Sequence, residues 1–532
     1  MIFGGLFQSR RNPVVKAPAG KVQGRAVDGV HVFKGIPYAM STAGAARFKP
    51  PVAIPPHKDV LLAEECGPAC FQPRRPGSIY DLHGDNPPPM SEDCLSLNIW
   101  APAEARKAPV FFWIHGGSLK IGANREAYYD GTRLASRGVV VVAINYRLGP
   151  LGWLAHPELS AESPQGISGN YGLMDQIEAL RWVRRNIGAF GGDAKNVTIA
   201  GESAGALSVM YLMTSPEARG LFAKAIAESA YMISTPALKE EAHGMEPAEV
   251  SGVKFCEALK VPGIAALRAM DGYELCEAAQ AVGFGPFGAI DGKLLPRQLV
   301  DVFDRGEQAK VPLLAGFNSG EIRTLLFLAP PPPASVDEYE KIIRERYADL
   351  AEDFLQFYPG SDMQESIYAA LRDAMYGWTA ERLVRKQAAL GQKSFLYYFD
   401  HGYPVADEAG LHAFHASEIP YVWGTIDSTP PPWPKIPDTP EERRLSDAMV
   451  DYWASFAHGG QPGSARAPSW PPFAKDGAYM EFKEIPQPAT HIHPGVYELV
   501  EEVVARRRAA GTIPWNWNFG IVSPVLPGKT AS

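Results

Sequence analysis

The chain has 532 residues, 46% of them hydrophobic and 21% charged, with a formal net charge of −8. This is the composition of a globular protein with enough apolar material for a large core, and the negative charge argues against nucleic acid as a partner, because phosphate binding needs a basic surface. No stretch approaches the roughly 20 consecutive apolar residues of a membrane-spanning helix, so we expect no membrane association either.

The N-terminal segment and the cysteines indicate the compartment. A short apolar start precedes Arg10 and Arg11, whereas a secretory signal carries its charges first and a longer apolar run after them. Five cysteines are too few for a disulfide framework in a chain of this length, and no pair has the C-x-x-C spacing of zinc or redox sites. With no signal visible, we expect a cytoplasmic protein, and we further expect a monomer without metal or cofactor. No break in composition indicates an interdomain linker, so the chain is expected to fold as one domain over residues 1–532, with residues 1–18 as an N-terminal extension.

The predicted elements begin with a small antiparallel unit. Residues 20–38 alternate apolar residues with glycines, which is typical of short strands and turns. Residues 71–92 are rich in Pro, Gly and Asp and predict a long loop, which in a compact chain is usually functional or mobile. Residues 95–102, 108–117 and 138–147 contain short apolar runs bounded by turn residues. Runs that are apolar on both faces predict strands buried on both sides.

The following segments alternate between strand and helix. Residues 175–192 carry apolar residues at helical spacing and end in two glycines, a good helix stop. Residues 196–203 predict a strand and residues 204–214 a helix, and later strands are predicted at residues 311–318 and 394–400. This alternation predicts an α/β fold with a mostly parallel central sheet flanked by helices, and with long loop and helical insertions.

Two compositionally biased runs are interpreted as local features. Pro330 to Pro333 is short and isolated, so we take it as a loop or a lid hinge rather than a polyproline binding site. The basic run Arg506 to Arg508 is taken as the solvated end of a helix rather than a binding patch.

Residues 201–205, Gly-Glu-Ser-Ala-Gly, fit the pattern G-x-S-x-G. In this pattern the chain turns sharply from strand to helix, the serine is strained at the top of the turn, and a side chain at either glycine would clash. A predicted strand directly before the motif and a predicted helix directly after it make Ser203 the candidate nucleophile. The alternative is an ordinary strand-to-helix turn in which the serine caps the helix.

A serine nucleophile needs backbone donors for the oxyanion that forms on the substrate carbonyl. On this fold one donor is the N–H after the nucleophile, here Ala204, and the others come from a glycine-rich loop after an earlier strand. The run from His115 to Ser118 follows a predicted strand, so Gly117 and Ser118 are the other donor candidates. The alternative is that this run is a plain turn.

The order of catalytic residues along this fold is serine, acid, histidine. His415 lies on a loop after the last predicted strand, but His412 three residues earlier and His401 directly after the strand are alternatives by position alone. Glu321 follows the predicted strand at residues 311–318 and is the acid candidate. On spacing it is one carboxylate among many, and it could equally be a surface residue that caps a helix.

Five extended stretches, in the same order, resemble the type-B carboxylesterases, a family with the α/β-hydrolase fold that includes cholinesterases, bacterial para-nitrobenzyl esterases and the non-catalytic neuroligins. The likeness runs from about Gly20 to at least Phe473. The stretches are SEDCLSLNIW, WIHGGS, NYRLGPLGWL, GNYGLMDQIEALRWVRRNIGAFGGD and GESAG.

The resemblance implies a serine carboxylesterase that hydrolyses small-molecule esters through an acyl-enzyme intermediate and needs no cofactor. A non-catalytic relative would be expected to have lost the nucleophile or the base, which this chain keeps. The sequence does not name the acyl or alcohol group, and a lipase or an amidase is a possible alternative.

The resemblance also selects among the site candidates. The acid of the family is a Glu in a loop that residues 316–321 match, which implies Glu321. The catalytic histidine of the family begins a motif resembling H-G-x-E-I-P-Y-V-F, which residues 415–423 match, so His415 is implied and His412 drops out. Two departures stand out, because the oxyanion loop of the family usually ends in Gly or Ala where Ser118 stands here, and Ala416 replaces the usual Gly after the histidine.

Further features are implied less directly. The early disulfide of the family implies a bridge between Cys70 and Cys94, whereas a pairing of Cys256 with Cys276 stays open.

The substrate pocket is the least constrained by the sequence. Phe284 and Phe287 are candidate walls of the acyl pocket, with plain core packing as the alternative, and Glu202 beside the nucleophile offers a negative charge to the substrate. The tryptophan over which cholinesterases hold a quaternary ammonium corresponds to Gly84, so we expect no large preference for choline esters.

Overall fold

A mixed sheet of eleven strands lies at the centre of the computed structural model, which describes residues 12–81 and 86–529. A separate sheet of three strands, in the order β1-β2-β5, lies near the start of the described chain. The strands are β1 (Val14–Ala17), β2 (Gly20–Gln23), β3 (Arg25–Val27), β4 (Val30–Pro37), β5 (Val60–Leu62), β6 (Ser96–Pro102), β7 (Ala108–Ile114), β8 (Val140–Ile144), β9 (Gly192–Glu202), β10 (Lys224–Glu228), β11 (Leu313–Asn318), β12 (Ser394–Phe399), β13 (Ala478–Phe482) and β14 (Gln487–Thr490).

Helices cover both faces of the large sheet and fill the segments between its strands. The helices are α1 (Thr132–Ala135), α2 (Gly149–Trp153), α3 (Pro157–Glu162), α4 (Tyr171–Asn186), α5 (Ala204–Thr214), α6 (Ala248–Ala258), α7 (Ile264–Ala269), α8 (Gly272–Ala281), α9 (Leu299–Asp304), α10 (Val336–Tyr347), α11 (Ala351–Phe357), α12 (Met363–Arg372), α13 (Trp378–Ala389), α14 (Pro404–Glu408), α15 (Ile419–Trp423), α16 (Pro440–Gly459) and α17 (Val496–Ala510), with a π-helical turn at Asp373–Gly377 between α12 and α13.

The continuous apolar runs of the central strands are explained by burial on two sides. Every residue of β7 is buried. Alternate side chains of this strand enter different cores, with Phe112 in the core that contains α4 and α5 and Trp113 in the core that contains α16. Because successive side chains of a strand point to opposite faces, a strand between two cores must be apolar at every position. The α/β-hydrolase architecture predicted from the sequence is confirmed.

The sheet order places several strand ends at one edge. The large sheet runs β14-β13-β12-β11-β10-β9-β7-β8-β6-β4-β3, and β9, β10, β11 and β12 are consecutive parallel neighbours. The carboxyl ends of parallel neighbours meet at the same edge, which is where open α/β sheets bind ligands.

Two expectations about the chain ends need correction. Val14–Ala17 pairs with β2 in an antiparallel ladder, so part of the expected extension at residues 1–18 is a strand of the small sheet, while residues 1–11 lie outside the described range. The basic run at the end of α17 is not solvated. Arg506 is bound by Asp349 and Arg508 by Asp301, and Arg507 is fully buried, because α17 packs against other elements at this end.

The cysteines are all free thiols in this structure, so neither bridge considered from the sequence is present. Cys70 and Cys94 are nevertheless neighbours in the core, and the hydrogen bond between their thiols, together with burial, raises the pKa of Cys94 well above its usual range. None of the helices in the described part of the chain is long and apolar enough to cross a membrane.

Candidate active site

Ser203 lies on a strained turn between β9 and α5. Its φ of 55° and ψ of −119° lie outside the ordinary regions for a residue with a side chain. The turn is crowded, because a Cβ added at Gly205 would lie 2.0 Å from the carbonyl oxygen of Ile114. The N–H of Ser203 donates to the carbonyl oxygen of Glu228 on β10 at 2.9 Å, which fixes the turn to the sheet. The crowding predicted for the two glycines of the motif is therefore present at this turn.

The hydroxyl of Ser203 is the first member of a buried hydrogen-bonded chain. It donates to Nε2 of His415 at 2.9 Å, and Nδ1 of His415 donates to the carboxylate of Glu321. Glu321 is fully buried and its other oxygen accepts the N–H of Asn318 at 2.9 Å. The structure thus brings together the three residues that the sequence proposed for catalysis, from the end of β9 and from loops that follow β11 and β12.

Backbone contacts hold the two loops that carry the acid and the histidine side by side. The N–H of Gly320 donates to the carbonyl oxygen of Ala413 at 2.8 Å, and the side-chain amide of Asn318 donates to that of Phe414 at 2.9 Å. These bonds join residues 318–320, which precede Glu321, to residues 413 and 414, which precede His415. The orientation of the imidazole is therefore set by backbone as well as by its carboxylate.

The other histidine candidates are engaged elsewhere. His412 lies between Asp407 and Asp400, at 2.7 and 3.0 Å, and its hydrogen bond to Asp400 raises its pKa. His401 contacts Glu442 at 2.9 Å in a buried pair. Neither reaches Ser203, so geometry separates these residues from His415 where sequence position alone did not.

Three buried carboxylates surround the hydrogen-bonded chain that Ser203, His415 and Glu321 form. Glu202 has an oxygen 3.2 Å from Nε2 of His415. Glu418 accepts a hydrogen bond from Asn318, and Glu228 accepts one from the indole N–H of Trp453. The sequence identified Glu202, gave Glu418 only as part of the motif around His415 without a role, and did not point to Glu228 at the end of β10.

This charge cluster controls the protonation of the histidine. Burial by itself lowers the pKa of His415, but the charges of Glu202 and Glu321 outweigh burial and raise the pKa to about 9. Burial raises the pKa of Glu202 to about 8, against the opposing effect of His415. A protonated imidazole in this site is stabilised by more than one carboxylate.

The candidate oxyanion donors lie next to the serine. Ala204 is the first residue of α5, so its N–H has no acceptor within the helix. Gly117 and Ser118 line the cavity beside Ser203 and have positive φ angles of 104° and 57°. The carbonyl oxygen of Gly117 accepts the N–H of Lys120 at 3.0 Å, which folds the loop back on itself. Ser118 adopts the left-handed conformation that a glycine would take more easily.

A cavity of about 600 Å³ opens onto Ser203 and is the right size for a small organic molecule. Its walls are mainly apolar and aromatic side chains with a few charged groups. The lining residues that matter below are Arg75, Tyr80, Asp81, Lys120, Glu126, Tyr128, Glu202, Ser203, Phe287, Phe327, His415, Ala416 and Trp433.

Of the two phenylalanines predicted as pocket walls, one lines the cavity and the other does not. Phe287 lines the cavity and is 49% exposed, as a wall open to a ligand would be. Phe284 is not among the lining residues and packs on Phe255 with ring centroids 4.8 Å apart, so its expected role as a wall does not fit its position. Gly84 lies outside the described residues, and the expectation about choline esters stays a prediction.

Among the aromatic residues of the site that the sequence did not identify are Tyr80 and Trp433. The hydroxyl of Tyr80 donates to the carbonyl oxygen of His415 at 3.2 Å and contacts the hydroxyl of Thr324 at 2.7 Å. Trp433 lines the cavity and donates its indole N–H to the carbonyl oxygen of Ile79 at 2.9 Å. The unusual length of the loop at residues 71–92 was the one available signal, and these contacts show that the loop builds the catalytic cavity.

Within residues 12–81 and 86–529, no group of three or more His, Cys, Asp and Glu side chains is arranged to hold a metal ion.

A serine on a sharp turn at the carboxyl end of a mostly parallel sheet, with an acid and a histidine on loops after later strands, defines the class of α/β-hydrolases. Within this class the sequence matches the carboxylesterase family over residues 11–498. The chain belongs to the carboxylesterase family and is a carboxylic ester hydrolase.

Individual relatives agree with this assignment. The chain is 36% identical over 472 residues to para-nitrobenzyl esterase of Bacillus subtilis (strain 168), covering 87% of this chain and 93% of that protein. It is 34% identical over 475 residues to fumonisin B1 esterase of Sphingopyxis macrogoltabida, covering 87% and 85%. A solved structure of a PNB esterase superposes with a TM-score of 0.78 at 32% identity, covering 92% of this chain and 99% of that one.

Proposed function

We propose that the enzyme hydrolyses small-molecule carboxylic esters with Ser203 as nucleophile, His415 as general base and Glu321 as the acid that orients the base. His415 takes the proton of Ser203 as the serine oxygen attacks the ester carbonyl, and the N–H groups of Gly117, Ser118 and Ala204 stabilise the oxyanion. The alcohol leaves with a proton from His415. Water activated by the same imidazole then releases the acid from the acyl-enzyme.

The observation that carries this proposal is the hydrogen-bonded chain from Ser203 through His415 to Glu321. A serine hydroxyl is a weak nucleophile until a base removes its proton, and a neutral imidazole is such a base. Glu321 selects the tautomer in which Nδ1 carries the proton, so Nε2 is free to accept from Ser203. This arrangement argues against a non-catalytic adhesion module, which would not be expected to retain it.

Covalent labelling tests the nucleophile directly. We expect a fluorophosphonate probe to modify one serine, Ser203, because phosphonylation needs both the activated hydroxyl and the oxyanion donors. Peptide mass spectrometry of the labelled enzyme identifies the site. A label on Ser208 or Ser229, which lie close in the sequence, would overturn the assignment of the nucleophile.

The role proposed for Glu202 predicts a shift in the pH profile. Its charge raises the pKa of His415, and the base acts only when neutral, so kcat/KM rises with pH through that pKa. Replacing Glu202 by Gln removes one raising charge. We therefore expect the acidic limb of the profile to move to lower pH by about one unit.

The measurement is kcat/KM for a neutral ester between pH 5 and pH 10, compared with a variant of an exposed carboxylate on α6, Glu257→Gln. That control should keep the wild-type limb. An acidic limb of Glu202→Gln that stayed in place or moved to higher pH would show that Glu202 does not act on His415 by its charge.

We further propose that the enzyme works as a monomer in the cytoplasm. Ser203, His415 and Glu321 are joined by hydrogen bonds within one chain, which supports a site that one copy completes. The free state of the five cysteines agrees with a reducing compartment.

A further inference from the structure

Two cationic side chains line the catalytic cavity, Arg75 on the loop before β6 and Lys120 on the oxyanion loop. Both are half-buried. Among the described residues neither forms an ion pair with a carboxylate, although Asp81 and Glu126 line the same cavity. A half-buried cation without a counter-charge loses hydration without compensation, which is unfavourable.

The pKa shifts of Arg75 and Lys120 reflect the same lack of a carboxylate partner among the described residues. Burial lowers the pKa of Arg75, with no carboxylate acting to raise it. Burial lowers the pKa of Lys120 as well, and the positive charge of Arg75 lowers it further, so the two cations repel each other. Elsewhere in the protein, Arg147 is fully buried but holds Asp175 in a bidentate pair with both contacts under 3 Å.

Lys120 and Arg75 lie on loops that also carry residues of the candidate active site. Lys120 lies two residues after Ser118, and its N–H donates to the carbonyl oxygen of Gly117, so its side chain leaves the loop beside the oxyanion donors. Arg75 lies on the loop that also supplies Tyr80, which contacts the backbone of His415. The two cations therefore line the same cavity as Ser203, each from a different loop.

We propose that this cavity selects esters that carry an anionic group, a carboxylate in particular, held by Arg75 and Lys120 while the ester carbonyl is at Ser203. This inference rests on the proposed function and names its substrate class. A carboxylate supplies a counter-charge that none of the described residues provides to Arg75 or Lys120, and guanidinium and ammonium groups are its usual partners. The anion can be part of the acyl group or of the alcohol, and the test separates the two.

The test compares matched pairs of esters that differ only in charge. For the acyl side the pair is the para-nitrophenyl monoester of adipic acid and the same compound with its free carboxylate converted to a methyl ester. For the alcohol side the pair is para-acetoxybenzoate and its methyl ester. The quantity measured is the ratio of kcat/KM for the anionic ester to that for the neutral one, in wild type, in Arg75→Gln, in Lys120→Gln and in the double variant.

We expect the ratio in one of the two pairs to fall about tenfold in each single variant, which corresponds to about 1.4 kcal/mol, and further in the double variant. Lys120→Arg, which keeps the charge, should retain most of the wild-type ratio. Lys195→Gln removes a positive charge from an exposed position outside the cavity and should leave the ratio unchanged. A ratio within about twofold of wild type in the double variant, for both pairs, would overturn the proposal.

Binding separates a failure of this inference from a failure of the proposed chemistry. Turnover of the neutral esters by wild type tests the chemistry alone. Calorimetric titration of Ser203→Ala with the same esters tests charge selection without turnover. We expect the preferred anionic ester to bind more tightly than its neutral partner, and to lose that advantage when Arg75→Gln and Lys120→Gln are added. Equal binding of the charged and neutral esters to Ser203→Ala would contradict the proposal even in an active enzyme.

Discussion

Replacement of Ser203 by Ala is expected to lower ester turnover by about 10⁴- to 10⁶-fold while leaving the fold intact. The members of a catalytic triad act as a unit, so loss of the nucleophile removes the advantage of the base and the acid together. The residual rate comes from the oxyanion donors and from binding. The fold should persist because the serine hydroxyl has one hydrogen-bond partner, His415, and the alanine keeps the Cβ that the turn already accommodates.

Initial rates with para-nitrophenyl butyrate, together with thermal unfolding, decide this prediction. Ser208→Ala is the matched control, because Ser208 is a fully buried serine on α5 that accepts a hydrogen bond from Gln176 and takes no part in the proposed chemistry. It should cost stability rather than turnover. If Ser203→Ala kept more than about a hundredth of the wild-type rate with an unchanged melting temperature, another nucleophile would have to be sought.

Replacement of His415 by Ala is expected to be about as damaging as the serine change, and replacement of His412 by Ala much milder. His415 is the hydrogen-bond partner of the Ser203 hydroxyl, so the alanine variant has no base in place to remove the proton of the serine. The oxyanion donors then act alone. His412 instead joins two partly exposed carboxylates, Asp400 and Asp407. Pairs of that kind contribute about 1 kcal/mol or less to stability.

The two histidine variants control for each other, since they lie three residues apart and remove the same side chain. The measurements are kcat/KM and the melting temperature of each. A ranking in which His412→Ala is the less active variant would mean that the loop after β12 presents a different histidine to the substrate in solution. Glu321→Gln should retain more activity than His415→Ala, because the base itself remains.

Local pattern predicted the serine turn and the sheet because both depend on short-range chemistry. Glycines at positions 201 and 205 are required by contacts within a few residues and with one neighbouring strand, and the apolar runs of β7 and β8 follow from burial on two faces. The identity of the base could not be read in this way. His412 and His415 have similar local surroundings, and what separates them is a contact with Ser203 more than 200 positions earlier in the chain.

The same limit explains the features that sequence reasoning missed or misjudged. Phe284 was predicted as a pocket wall from its aromatic side chain, but shortly after α8 it packs on Phe255 of α6. Arg506 was expected in solvent, yet an acid on a distant helical segment, Asp349, neutralises it. Trp433 and Lys120 gain their significance only from the cavity that they share. Contacts that depend on tertiary packing produce no periodic pattern in the amino-acid sequence.

The separation of Ser203, Glu321 and His415 along the chain has a consequence for biosynthesis. The serine turn can form while much of the protein is still being translated, but the acid and the base follow β11 and β12, and the contact between Gly320 and Ala413 needs both of their loops. A nascent or prematurely terminated chain that ends before β12 therefore contains Ser203 without His415, and the proposed mechanism gives it no base for the serine. Under that mechanism, ester hydrolysis requires a polypeptide synthesised at least through the loop after β12.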